Sequence, residues 1–83
     1  MNQVARTSKQ IGAILKRQRR LLKLTQSELG AKAKLRQATI SELEAGEPGA
    51  SLSTVFDVLA ALDLEAVVRP RSKGSPRDIE DIF

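Results

Sequence analysis

The chain has 83 residues, 41% of them hydrophobic, and carries 14 Lys or Arg against 10 Asp or Glu for a formal net charge of +4. A chain of this length suits one small domain, which buries only about 60% of its unfolded surface and gains from pairing with a second copy. With no Cys and no His, disulfides, thiolate or imidazole metal ligands and the usual nucleophile and base pairs of hydrolases are excluded, so no catalytic residue, metal or other cofactor is expected.

Residues 1–7 show no period and read as a flexible arm, in which Arg6 is within reach of a phosphate. From Ser8, the residues Ile11, Leu15 and Leu22 keep to one helical face with Ile14 beside it, which predicts a helix over about 8–23 with Ser8 as its cap. Arg19 falls on that same inward face, where a guanidinium needs a partner. Arg17, Arg20 and Lys23 read as surface charges.

Thr25 followed by Glu28 is a capping box, in which each side chain satisfies a free backbone amide, and it opens a second helix over about 26–33. Leu29 and Ala33 share its inward face, and Gly30 removes a side chain where a neighbouring backbone can come close. The pattern breaks at Lys34 and Leu35. A third helix over about 36–45 then has Leu35, Ile40 and Leu43 on its apolar side, while Arg36, Gln37, Ala38, Ser41 and Glu42 have no core to fill. Gly46 closes it as a left-handed cap.

Two short helices joined by a tight turn, the second with a polar outer face, make an arrangement suited to lie on DNA. Gln26, with Ser27 beside it, stands at a helix start where backbone amides and the helix dipole favour a phosphate, and its amide can also brace Gln37. Gln37 at the tip of the third helix can pair with adenine N6 and N7 and is the strongest base reader. Ala38 offers a methyl to a thymine methyl, Arg36 suits guanine or a phosphate, and Ser41 lies one turn beyond Gln37. Thr39 turns toward the neighbouring helix and is expected to pack there.

After a break at Glu47, Pro48, Gly49 and Ala50, Ser51 caps a fourth helix over about 52–62. Leu52, Val55, Phe56, Leu59 and Leu62 define its core face, with Phe56 in the core. From Leu64 the period changes to two and Pro70 stops the run, which predicts a strand over about 64–69. A lone strand is not stable and no second one follows. Leu64, Ala66, Val67 and Val68 are therefore expected to pair with the same strand of another copy, as an antiparallel ribbon across a twofold axis. Residues 70–83 read as a flexible tail whose Ile79, Ile82 and Phe83 form a partner-binding face, with Asp78, Glu80 and Asp81 setting its orientation against a basic groove. The domain itself spans 8–69.

Charge is unevenly distributed: residues 1–36 hold ten Lys or Arg and one Glu, residues 37–68 hold six acids and no base. A basic face is the footprint of a protein that displaces counterions from phosphates, and an acidic face points away from them. No apolar run approaches the roughly 20 residues of a membrane span and the amino terminus lacks a signal-peptide core, so a cytoplasmic protein without membrane contact, nucleoid-associated when bound to DNA, is expected.

In the order Thr25-Gln26, Glu28-Leu29, Gln37, Thr39-Ile40-Ser41, Glu44 and Gly46, the chain resembles the helix-turn-helix of the XRE and Cro-type repressors. The run Gln37 to Ser41, the strand-like segment after Leu62 and the tail look most like the HipB-like antitoxins of HipA-type kinase toxins. The resemblance covers about residues 8–69. It implies a mainly α, lambda-repressor-like domain of four helices that dimerises and binds an inverted-repeat operator. It also implies a structural ion pair between Arg19 and Glu44 that clamps the first helix to the third, and a HipA-like serine/threonine kinase as partner. Three positions depart from the family pattern: Lys34 stands for the usual turn glycine, Arg36 for a capping Ser and Gln18 for a core aliphatic. A stand-alone regulator of other genes and a helix-turn-helix adaptor that binds only protein are the alternatives; Gln37 and the basic block argue against the second.

Overall fold

In the computed structural model, which describes residues 3–71, the chain forms α1 (Ser8–Leu21), α2 (Gln26–Ala33), α3 (Gln37–Ala45) and α4 (Leu52–Ala61). The tail residues Ile79, Ile82 and Phe83 lie outside the described residues. Helix α3 is central: α1 and α2 both pack on it, and α2 also packs on α4. The core is built from Leu15 of α1, Leu29 of α2, Ile40 and Leu43 of α3, and Val58, Leu59, Ala61 and Leu62 at the end of α4. Each fully buried leucine or isoleucine contributes about 1.5–3 kcal/mol relative to exposure, so this small set carries most of the drive to fold.

Side-chain caps start three of the helices. Thr7, not Ser8, caps α1, because its hydroxyl accepts from the Gln10 N–H at 3.0 Å and leaves Ser8 as the first helical residue. The Thr25 and Glu28 capping box is formed at α2, with Glu28 N–H to Thr25 Oγ1 at 3.0 Å and Thr25 N–H to Glu28 Oε1 at 2.8 Å. Those bonds from the Thr25 backbone and side chain hold the Glu28 carboxyl below its ordinary value. Ser51 caps α4 through the Thr54 N–H.

The helix ends share one device, of which the sequence marks only the Gly46 cap and the turn at Lys34. After each helix, one N–H bonds to the carbonyl three residues before it and the next reaches the carbonyl five residues before it. The longer bonds run from Leu24 to Arg19, Leu35 to Gly30, Glu47 to Glu42 and Leu64 to Leu59. This is the Schellman arrangement, and it requires a left-handed residue in the turn. Glycine fills that place only after α3, at Gly46, whose added Cβ would also meet the Lys9 Cα at 2.5 Å. Lys23, Lys34 and Asp63 occupy it elsewhere, with φ of 59°, 60° and 61°. In all three, the following residue is a leucine (Leu24, Leu35, Leu64) that packs half-buried against the core. The apolar contact offsets the left-handed backbone. Lys34 is thus the turn residue itself, in place of the expected glycine, and α1 stops at Leu21 because Lys23 has already left the helix.

Two expected core residues of α4 are on the surface. Leu52 is 71% and Phe56 50% exposed, and Val58 and Ala61 are buried in their stead. The helix is apolar on most of its circumference, so spacing by three and four can be traced along two stripes, and only contact with α2 and the chain after α4 selects Val55, Val58, Leu59 and Leu62. Leu22, expected on the inward face of α1, is 43% exposed for the related reason that the helix has ended. Among the described residues no strand is formed: residues 64–71 carry no regular structure. A strand exists by its ladder, and one chain supplies no second edge. Leu64 is already committed, its N–H to Leu59 O at 2.8 Å and its side chain to the core.

Candidate nucleic-acid interface

The turn between α2 and α3 is close because of Gly30, where a Cβ would stand 2.8 Å from the Leu35 carbonyl oxygen. A second glycine does the same between α1 and α3. Any Cβ on Gly12 would overlap the Leu43 carbonyl oxygen and lie 2.8 Å from that of Glu44, so α1 crosses α3 backbone to backbone.

Near that crossing lies a buried charge cluster joining three helices. Arg19 Nε donates to Glu44 Oε2 at 2.6 Å and Nη2 to Oε1 at 3.0 Å, while Nη1 donates to the Leu24 carbonyl at 2.8 Å. Gln26 Nε2 adds a bond to Glu44 Oε1 at 3.1 Å. Burial alone would push the Glu44 carboxyl up, but the bonds from Arg19 and Gln26, with the positive charge of Arg19 and Lys16, outweigh it and hold the group below its ordinary value. The same bond to Glu44 raises the Arg19 guanidinium above its ordinary value. Truncating one member of such a pair is costly because the other charge remains buried. Gln18, expected at a core position, donates from Nε2 to the Leu62 carbonyl at 3.2 Å and ties α1 to the end of α4.

Around this frame the outer residues divide clearly. Arg36, Gln37, Ala38 and Ser41 are exposed along one side of α3, and Ser27 is exposed at the start of α2. Ile40, Leu43 and Glu44 face inward, and Thr39 is half-buried. Arg36 is the N-cap of α3, but no side chain accepts a bond there; only its carbonyl is used, by the Thr39 and Ile40 N–H groups. The first turn of α3 therefore offers backbone donors together with the Arg36 and Gln37 side chains. Gln26 opens α2, as the sequence reading has it. Its amide nitrogen is turned to Glu44, so it braces the charge cluster and not Gln37.

Among the described residues there is no group of three or more side chains able to hold a metal, and no helix is long and apolar enough to cross a membrane. Two surface pockets lie among the described residues, on the outer side of α1 and between α3 and the start of α4.

Comparison with known proteins places this geometry. The family model described as helix-turn-helix matches residues 15–68. An HTH-type transcriptional regulator of Sinorhizobium fredii, y4dL, is 40% identical over 57 residues, covering 69% of this chain and 29% of the regulator. Antitoxin HipB of Escherichia coli is 38% identical over 56 residues, covering 68% of this chain and 64% of HipB. The chain thus spans less than two thirds of the length of these relatives. Among solved structures, a chain of a HipA-HipB-O2-O3 complex superposes with a TM-score of 0.77 at 32% identity, over 83% of this chain and 97% of that one. A HipB-O4 20mer complex gives the same TM-score, identity and coverage. The matched family model covers most of the chain, and the protein belongs to the helix-turn-helix family, as an XRE-type domain like that of HipB.

Proposed function

We propose that the chain is a sequence-specific DNA-binding repressor of the HipB type, the antitoxin of a HipA-like kinase and the repressor of its own operon. The observation that carries this reading is the first turn of α3, where exposed Gln37 stands beside Arg36 on a helix end whose donors no side chain has taken. That turn belongs to a fold shared with HipB in its O2 20mer and O4 20mer complexes. In the major groove, Gln37 reads adenine through N6 and N7, Ala38 meets a thymine methyl, Arg36 takes guanine or a phosphate, and Ser41 reaches one turn further. Ser27 and the first amides of α2 hold the backbone, which fixes the register of α3. Gln26 supports this from behind, through Glu44.

Two copies are needed for an inverted repeat, and the chain has a surface for pairing. Leu52, Phe56, Val67 and Val68 are exposed apolar side chains, and Ala60 continues the four-residue spacing of Leu52 and Phe56. A second copy covers them, with the stretch from Glu65 through Ala66, Val67 and Val68 as the pairing strand. Leu64 anchors that strand to the core and gives it no N–H. Recognition helices on the two copies then fall in successive major grooves, with half-sites about 34 Å apart or a multiple of it. A HipA-like serine/threonine kinase is the protein partner, captured through Ile79, Ile82 and Phe83.

Selection of binding sites from random DNA, followed by titration of the Gln37→Ala protein, tests the reading. The substitution is expected to cost about 1–3 kcal/mol on the selected site and to relax one base step, with little change on random sequence. Equal losses on both would remove Gln37 from base reading, and failure to select any sequence would leave a protein-binding adaptor.

A further inference from the structure

The outer face of α1 holds a shallow, open groove lined by Ala13, Lys16, Arg17, Arg20 and Leu21. Ala13 and Leu21 are its exposed apolar residues, Leu21 at 66%, and Lys16, Arg17 and Arg20 its exposed cations. Among the described residues none of these cations forms an ion pair. The described acids are placed elsewhere. Glu44 is taken by Arg19 and Glu28 by Thr25, while Glu42, Glu47, Asp57, Asp63 and Glu65 belong to α3, α4 and the turns after them. The remaining acids of the sequence are Asp78, Glu80 and Asp81, interleaved with Ile79, Ile82 and Phe83.

We propose that this groove is the docking site for residues 78–83 of the same chain. Both halves of the pattern find a counterpart: the carboxylates meet Lys16, Arg17 and Arg20, and the isoleucines and Phe83 cover Ala13 and Leu21. Opposite potentials set the orientation and apolar contact holds it. The path is short. Gln18 is bonded to the Leu62 carbonyl, so the chain leaves α4 against α1. Arg17 is one residue from Gln18, about 100° round a helix roughly 10–12 Å across, an arc of about 10 Å. Residues 63–77 cover that distance several times over, at about 3.3–3.6 Å per extended residue. Docking masks the face of α1 and also the apolar residues of the tail, so any protein that captures the tail must first displace it. The proposal stands on the groove and the tail's composition and does not rest on the toxin reading.

The chain has no Trp and no Tyr, so Phe83→Trp in the full-length protein introduces a single reporter indole. Short-wavelength emission with several-fold weaker acrylamide quenching than a free indole is the expected result. Arg17→Glu with Arg20→Glu should restore solvent-like emission and full quenching, and adding Asp78→Arg with Asp81→Arg should reverse that effect. Circular dichroism verifies that the helices persist; should the reversal unfold the chain, Arg17→Gln with Arg20→Gln replaces it with the same readout. Solvent-like emission from the start, or protected emission indifferent to the α1 charges, overturns the proposal. Protection that rises with protein concentration assigns the groove to the tail of a second copy and overturns it equally.

Discussion

Arg19 and Glu44 are single residues on which three helices depend. Each is under a tenth exposed, and the carboxylate accepts from both Arg19 and Gln26. Arg19→Met should therefore cost about 3–5 kcal/mol, because it strands a buried carboxylate, whereas Arg19→Met with Glu44→Met should recover most of that loss. Urea titration of the single and double variants measures the difference, and a double variant no better than the single would show that the pair is not the unit of stability. The same residue sets an acid limit. Glu44 titrates below its ordinary value of 4.5 in the folded chain, so on acidification the unfolded chain takes up its proton first. The stability contributed by the group is present above the ordinary value and is lost as pH falls through the folded one. Thermal midpoints should decline over that acid window, and Glu44→Gln should flatten the decline while lowering stability at neutral pH.

At the scale of the element, the four helix ends are variations on one motif with different residues at its left-handed position. A side chain there costs about 1–2 kcal/mol, and glycine removes that strain while adding entropy to the unfolded chain. Lys34→Gly should thus stabilise the fold by about 0.5–1 kcal/mol net, and Gly46→Ala should destabilise it by more, since the new methyl also meets Lys9. Differential scanning calorimetry distinguishes the two signs. No gain from Lys34→Gly would mean that the lysine makes a compensating contact. The turn between α2 and α3 then need not be rigid for α3 to be presented correctly, because Gly30 and Leu35 already fix its closest approach.

Among the described residues Leu52 and Phe56 of α4 and Val67 and Val68 after it are exposed apolar side chains. If a second copy covers them, Phe56→Glu should dissociate the dimer by burying charge, and Val67→Pro should do so by removing a ladder donor. Sedimentation of the two variants locates the interface: loss of pairing with Phe56→Glu alone would assign it to the α4 stripe without a strand. Charge acts at this scale too. The basic residues concentrate before Gln37 in the sequence, and DNA affinity should fall steeply with salt; a flat dependence would remove the phosphate contacts.

Local chemistry was enough to determine the starts of α2 and α4, the Gly46 end and the outward character of Arg36, Gln37, Ala38 and Ser41. A cap needs only residues three or four apart, and a polar face needs only a period. Helix α2 and its capping box follow from Thr25 and Glu28 alone. What depended on tertiary structure were choices between faces and partners that are equal along the chain. Leu52 and Phe56 satisfy the helical period as well as Val55 and Val58 do, and only the packing against α2 separates them. Gln26 could reach toward Gln37 or Glu44; the crossing of α1 and α3, close because Gly12 has no side chain, brings Arg19 and Glu44 together and draws Gln26 to them. Lys34 is legible as a turn residue in the sequence, whereas nothing local marks the left-handed backbone of Lys23 and Asp63. The leucine after each of them completes the turn, and its value comes from a core that exists only once the helices have met.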